Sequence, residues 1–267
     1  LEEADKFDKY YVDNALADQN QYLRAEIYQS QGKLYEAATA YQQVISGYPG
    51  TTLVQEAIAR QYEIGDTFFN EGQQKINERW RLFRKRPLRR AAEVYGMVVQ
   101  NQPFAPESAQ AEYKIGLCQF TRGDYLEAAN TYRTVREEYR GSDWVDEAVY
   151  GIAMCYYNMS LPSDYDQTSS QLAIRAVDEF SVGYPSDERV PDLKSKQVEM
   201  REVIAEQRLK AGRFYVKRRE FNAAHICFEE VVRQYPNTTS AVDAQNWLDK
   251  NPRQLTAAQA KVEALRE

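Results

Sequence analysis

One spacing of small, aromatic and proline residues recurs five times along this 267-residue chain. Tyr-Pro pairs stand at Tyr48-Pro49, Tyr184-Pro185 and Tyr235-Pro236. Each follows an apolar helical stretch and precedes small, cap-forming residues. With a small residue as position 0, Ala25 is followed by Tyr28 at +3, Ala37 at +12, Tyr41 at +16 and Pro49 at +24. Gly116, Gln119, Ala128 and Tyr132 repeat the ruler, with Arg140 in the proline's place. Gly212, Tyr215, Ala224, Phe228 and Pro236 repeat it again. Gly65 and Phe68 lead, after 14 extra residues, to Ala91, Tyr95 and Pro103. Ala153 and Tyr156 lead, after 8 extra residues, to Ala173, Val177 and Pro185.

A helical hairpin explains the ruler. Small residues at 0 and +12 let two antiparallel helices approach closely, and aromatics at +3 and +16 fill the space around the contact. Proline at +24 cannot continue a helix and ends the second one. Gly32 and Gly123, both at +7, lie at the turn between helices. Thr52 with Gln55, Ser240 with Asp243, and Pro106 in a first turn are expected to restart the next helix. The pattern resembles the tetratricopeptide repeat, a hairpin that buries its apolar faces only by stacking on neighbours. The expected fold is an all-α superhelical solenoid of about five such hairpins with a C-terminal capping helix after Pro236. The boundaries expected are an N-terminal helix over 1–17, hairpins 1 and 2 over 18–103 with a basic insertion at 69–90, and hairpins 3 and 4 over 104–190 with an acidic insertion at 160–170. A long helix and hairpin 5 occupy 191–236 and a cap 237–267, all in a single solenoid over 1–267.

Composition narrows the function. The longest mostly apolar run, Ala148–Tyr157, spans ten residues, and a membrane-spanning helix needs about 20. A net charge of -6 argues against general nucleic-acid binding. Cys118, Cys155 and Cys227 form neither a disulfide framework nor a metal-site spacing. His225, the single histidine, lowers the prior for acid–base chemistry. No cofactor and no metal are expected. The chain opens on Leu1 rather than Met, which points to a truncated or processed chain.

A narrower resemblance lies in Asp164-Tyr165-Asp166-Gln167-Thr168, followed by Ala173 to Pro185. It resembles the acidic insertion of BamD-type outer-membrane assembly lipoproteins. The helical stretch from about Pro191 to Arg219, then Phe221-Asn222-Ala223-Ala224 and Tyr235-Pro236-Asn237-Thr238, resembles that family's long linking helix and the hairpin after it. Three features depart from the family pattern: an additional first hairpin, Asp18–Pro49, the basic insertion, and a last repeat reduced to Ser240–Glu267. The resemblance implies a non-enzymatic scaffold at the periplasmic face of the outer membrane. It further implies protein partners, namely the β-barrel assembly subunit and unfolded outer-membrane protein segments. It implies no nucleic acid, and membrane attachment only through an N-terminal lipid anchor that this chain does not contain. The alternatives are a general cell-envelope adaptor for cell-wall or division proteins, and a helical accessory domain of an envelope enzyme.

Two sets of residues are candidates for function. Positions -3 and +4 are seven apart and share one face of each first helix. At -3 stand Tyr22, Tyr62, Tyr113 and Tyr150; at +4 stand Phe69, Phe120 and Tyr157. Such a row suits recognition of an extended or helical peptide, with large contact area at low entropy cost. The alternative is that the rings pack on neighbouring hairpins. The second set is the basic insertion. Lys75, Arg79, Arg81, Arg84, Lys85, Arg86, Arg89 and Arg90 are opposed only by Glu78. Ile76, Trp80 and Phe83 lie at helical spacing beside them. An acidic partner, an anionic membrane surface, or internal pairing with the chain's own carboxylates would each suit this segment. The remaining features read as structural: Cys118 and Cys155 as buried small hydrophobes, His225 as a helix residue, and Asp164 and Asp166 as loop residues.

Overall fold

The computed structural model describes residues 16–74, 85–160 and 162–253. The expected N-terminal helix over 1–17, most of the basic insertion, and the end of the cap fall largely outside these. Among the described residues there are eleven helices and no strand. The fold is an all-α solenoid of tetratricopeptide-like hairpins. The first hairpin pairs α1 (Ala17–Ser30) with α2 (Leu34–Gly47). The second pairs α3 (Val54–Gln74) with α4 (Lys85–Asn101), and the third α5 (Pro106–Arg122) with α6 (Tyr125–Glu138). Next come α7 (Val145–Met159) and α8 (Thr168–Gly183). A 28-residue helix, α9 (Val190–Lys217), then precedes α10 (Phe221–Gln234) and α11 (Thr239–Lys250). The chain forms two compact units, one up to Cys155 and one from Tyr156, with the boundary inside α7.

In hairpins 2 and 3 the glycine at 0 and the ring at +16 make a close central contact. Tyr41, Tyr95 and Tyr132 are essentially fully buried. A Cβ placed on Gly65 would lie 2.7 Å from the Tyr95 ring, and one on Gly116 would lie 2.6 Å from the Tyr132 ring. Tyr132 is held from both sides, because a Cβ on Gly151 of α7 would also meet it at 2.6 Å. The ring therefore rests directly on helix backbone, which only glycine permits at that distance.

The turns inside the hairpins share one backbone. Gly32 and Gly123 have φ of +73° and +88°. The amide one residue after each reaches back to the +3 carbonyl, Lys33 N to Tyr28 O and Asp124 N to Gln119 O, both at 3.0 Å. This is the Schellman closure, which needs a left-handed residue. In unit 2, Arg219 takes the same place with φ +61°, and Glu220 N reaches Tyr215 O at 3.0 Å.

Helix ends differ from expectation in three places. Arg140 replaces the proline, yet α6 still stops: Tyr139 N bonds Val135 O and Ser142 N bonds Tyr139 O, as Tyr48 and Thr51 do after α2. The turn, not the proline, ends the helix. Before α3 the bonding hydroxyl is Thr51 rather than Thr52, accepting from Leu53 N at 3.2 Å. Thr238 caps α11, accepting from Ala241 N at 3.1 Å. Ser240 instead donates its hydroxyl to Glu202 of α9 at 2.6 Å, and Glu202 also accepts from the amides of Thr239 and Ser240. Pro106 does occupy the start of α5.

Amide side chains fasten the first hairpin to the second. Gln61, wholly buried on α3, donates to Ala38 O at 3.1 Å and Gln42 Oε1 at 2.9 Å on α2. Asn101 of α4 donates to Gln42 Oε1 at 2.8 Å and Gln61 Oε1 at 3.1 Å. Arg90 covers the Tyr35 ring at 5.3 Å and the Phe68 ring at 5.6 Å, again linking hairpins 1 and 2.

Two stability outcomes follow from these contacts. Gly116→Ala drives a methyl into the Tyr132 ring and destabilises by about 1–3 kcal/mol. Gly96→Ala in α4 meets open space and stabilises by up to about 1 kcal/mol through helix propensity. Urea unfolding reads both, and equal effects refute the close-contact account. For Glu202, burial acts to raise the carboxyl, but the Ser240 and Thr239 donors outweigh it and hold the group below its usual value. That stabilisation is present above the unfolded value, about 4.3, and is lost as pH falls through the lower folded value. Glu202→Gln removes about 1 kcal/mol at neutral pH and flattens the acid limb of the stability–pH curve measured on the intact chain.

Candidate functional site

The aromatic row is anchored from behind in unit 1. In the first three hairpins the ring at -3 lies against the +16 ring of its own hairpin. Tyr22 meets Tyr41 edge-on at 5.2 Å, and Tyr62 meets Tyr95 edge-on at 5.6 Å. Tyr113 lies 5.5 Å from Tyr132 and stacks on Trp144 at 5.0 Å. Such pairs fix ring orientation beyond what area burial alone achieves. Tyr22 is buried; Tyr62, Tyr113 and Tyr150 are half-buried and keep part of each ring accessible. At +4, Phe69 packs against the core of unit 1, and Phe120 lies edge-on to Tyr125 at 5.3 Å. Both are half-buried. Tyr157 lies in unit 2, where its hydroxyl donates to Glu199 at 2.8 Å and Lys196 covers its ring at 5.2 Å.

A polar cluster interrupts the row between α3 and α5. Lys114 pairs with Asp66 at 2.5 Å and sits over the Tyr62 and Tyr95 rings at 4.7 and 5.5 Å. The Tyr95 hydroxyl also donates to Asp66. Burial, then the hydrogen bond to Asp66, push the Tyr95 phenol up. The Tyr62 hydroxyl is buried and makes no hydrogen bond. Neither Asp66 nor Lys114 was marked by the ruler. Their only signal was the presence of a charge beside the apolar positions of two successive first helices.

The basic insertion divides. Lys75, Arg79, Arg81 and Arg84 lie outside the described residues, as does the side chain of Lys85, which opens α4. Arg86 is exposed. Arg89 approaches Glu93 at 3.6 Å, one turn along α4. Arg90 is taken up by the Tyr35 and Phe68 rings. The acidic insertion is solvent-exposed at Asp164, Tyr165 and Asp166, as expected of a loop, and is also tied to α9. In unit 2, Lys210 of α9 donates to Asp164 at 2.8 Å and Ser163 at 2.7 Å, and Gln207 donates to Tyr165 O at 3.0 Å. Asp166 accepts from the Thr168 amide at 3.3 Å and its hydroxyl at 3.0 Å, at the start of α8. Cys118 and Cys155 are buried free thiols that burial pushes up to about 12. Such thiols are poor nucleophiles. Among the described residues no cluster of His, Cys, Asp or Glu could hold a metal ion.

Comparison with known proteins agrees with the repeat and narrows it. A family profile described as outer membrane lipoprotein, YfiO, matches residues 65–266. A tetratricopeptide repeat profile matches residues 19–51, the first hairpin, which lies outside the longer match. The chain is similar to an outer membrane protein assembly factor BamD from Rickettsia prowazekii, with 26% identity over 168 residues, 63% of this chain and 67% of that protein. It is also similar to an outer membrane protein assembly factor BamD from Caulobacter vibrioides, with 23% identity over 154 residues, 58% of this chain. The match spans half of that second relative's length. A solved tetratricopeptide repeat protein from Parabacteroides merdae superposes with a TM-score of 0.36 at 15% identity, covering 91% of this chain and 88% of that one. At that score the likeness carries no weight.

The polar cluster gives a paired outcome. Tyr62→Phe removes a hydroxyl without a partner and leaves stability unchanged or raised by about 1 kcal/mol. Tyr95→Phe keeps the buried ring but removes a bond to a charged acceptor, and destabilises by about 1–2 kcal/mol. Urea unfolding of the two variants distinguishes them, and equal losses would overturn the assignment.

Proposed function

The chain belongs to the YfiO family of outer membrane lipoproteins, and on that footing we propose that it is a non-catalytic scaffold at the periplasmic face of the outer membrane. Its role there is the assembly of β-barrel proteins. The observation that carries this reading is the family match over residues 65–266, supported by two relatives that are themselves assembly factors. Its mechanism is capture of unfolded outer-membrane protein segments, together with docking to the barrel-assembly subunit.

The aromatic row supplies the capture surface. Tyr62, Tyr113 and Tyr150, with Phe69 and Phe120, offer half-buried rings at the -3 and +4 positions of successive first helices. Because the -3 rings of the first three hairpins are braced by +16 rings, they lose little freedom when a peptide lies on them. Outer-membrane strands alternate apolar and polar side chains, so an extended segment presents apolar groups to such rings at regular intervals. Tyr22 precedes this set in the sequence with its ring largely buried, and Tyr157 follows it, tied to Glu199 within unit 2. The basic segment around Arg79, Arg81, Arg84, Lys85, Arg86 and Arg89 is a contact for an acidic partner surface or anionic lipid head groups. Arg90 is already engaged by its own chain.

A photo-crosslinking residue at Phe120 or Tyr150, set against one at exposed Leu126 of α6, tests the capture surface. Unfolded outer-membrane segments label the row positions and not Leu126; equal labelling overturns the groove. Affinity purification from envelopes tests the role. Recovery of the barrel-assembly subunit is the expected result, and recovery of cell-wall synthases in its place refutes the reading.

A further inference from the structure

Unit 2 contains a cleft of about 990 Å³ between the start of α10 and the residues after α11. Arg219, Phe221, Asn222, His225, Asn251 and Arg253 line it. Three observations set it apart from a surface depression. First, His225 is only 6% exposed and its Nδ1 makes no hydrogen bond. The nearest carboxylate oxygen, on Glu229, is 3.8 Å away. The ring lies edge-on to Trp247 at 5.0 Å. Buried polar atoms normally have one.

Second, Arg219 has φ +61°. The equivalent residues of hairpins 1 and 3 are Gly32 and Gly123, in turns closed by the same hydrogen bonds. Glycine adopts this conformation without strain, whereas a branched Cα does not. Here the chain places a guanidinium in a glycine's seat, at the rim of the cleft. Strain of this kind is retained where a side chain has a task.

Third, the charges converge. Arg219 forms no ion pair among the described residues, and Arg253 lies 3.7 Å from Glu229. The first-turn amides of α10 have no acceptor within their helix and carry the positive end of its dipole. Glu220, also at the rim, is bound by Arg218 at 2.8 Å. In a chain of net charge -6, this local excess of donors is not the general field of the molecule.

We propose that this cleft is a docking pocket for an acidic peptide segment of a protein partner. Arg219, Arg253 and the start of α10 meet the segment's carboxylates. Half-exposed Phe221 packs against a neighbouring apolar side chain, and buried His225 forms the floor beneath it. The volume is that of a site for several residues rather than a single ion. The proposal depends on the scaffold reading only in requiring that the chain have a protein partner.

The test uses the full chain and the peptide Ac-Leu-Glu-Asp-Leu-NH2, beside its Gln/Asn counterpart. In an NMR titration the acidic peptide shifts the His225 ring and the side-chain amides of Asn222 and Asn251, and the amide peptide does not. Arg219→Gly relieves the turn and raises the thermal midpoint by a few degrees. The same variant weakens the acidic peptide by about tenfold, the scale of one lost charge-assisted contact. A variant that is more stable yet binds worse cannot be explained by misfolding. Equal shifts from both peptides, or unchanged affinity in Arg219→Gly, overturn the proposal. So does a silent wild type. The same shifts from anionic vesicles in the peptide's place also overturn it. The assembly role is judged separately by copurification, so either reading can fail alone.

Discussion

The edge of an aromatic ring lying directly on helix backbone is the contact from which the rest of unit 1 is arranged. Tyr95 on Gly65 and Tyr132 on Gly116 set the distance between the two helices of their hairpins. Once that distance is fixed, +12 can only be small, as Ala91 and Ala128 are, both fully buried. The -3 ring is then confined to the edge of the +16 ring, which orients the candidate binding row. Phe228 on Gly212 repeats the contact in unit 2, and Trp247 of α11 closes over Phe228 at 4.6 Å. Packing and the presentation of a recognition surface are thus two results of one interaction. Close-packed interiors transmit such constraints because they have no slack to absorb them.

Much of this was legible in the sequence, because the constraint acts at fixed spacing along one chain. The ruler located the paired helices α1–α2, α3–α4, α5–α6 and α9–α10 and the turn glycines Gly32 and Gly123. It failed where a contact was decided by residues far away in sequence or by backbone alone. Thr238 and Ser240 are equally good caps by side-chain chemistry. Glu202, on another helix, captures Ser240 and leaves the cap to Thr238. Arg140 lacks the proline signal, yet its turn closes through backbone bonds that any residue can make. Arg219 hid its conformation, since nothing but its place on the ruler betrays a left-handed arginine.

The same distinction applies to the candidate site. The aromatic row was visible because it repeats. The Lys114–Asp66 pair was not, since it joins two helices at positions that carry other residues elsewhere in the array. The acidic insertion was legible as a solvated loop because Asp164 and Asp166 favour turns. Its tie to Lys210, 46 residues on, was not. The amide triad of Gln42, Gln61 and Asn101 likewise has no periodic signature. It is this triad that gives the first hairpin a defined register on the second. A buried amide that slips by one turn loses its partners, so mismatched stackings are penalised more than loosened ones.

Tyr132 has a consequence for how the array yields. Its ring is gripped by Gly116 of its own hairpin and by Gly151 of the following helix. One side chain therefore belongs to two neighbouring repeats, and neither can open without releasing the other's core. In a linear array, stability is the sum of repeat terms and interface terms. A shared ring moves weight from the former to the latter. Melting should then advance as a front from an end of the stack, and the middle of unit 1 should exchange its amides only when that front arrives.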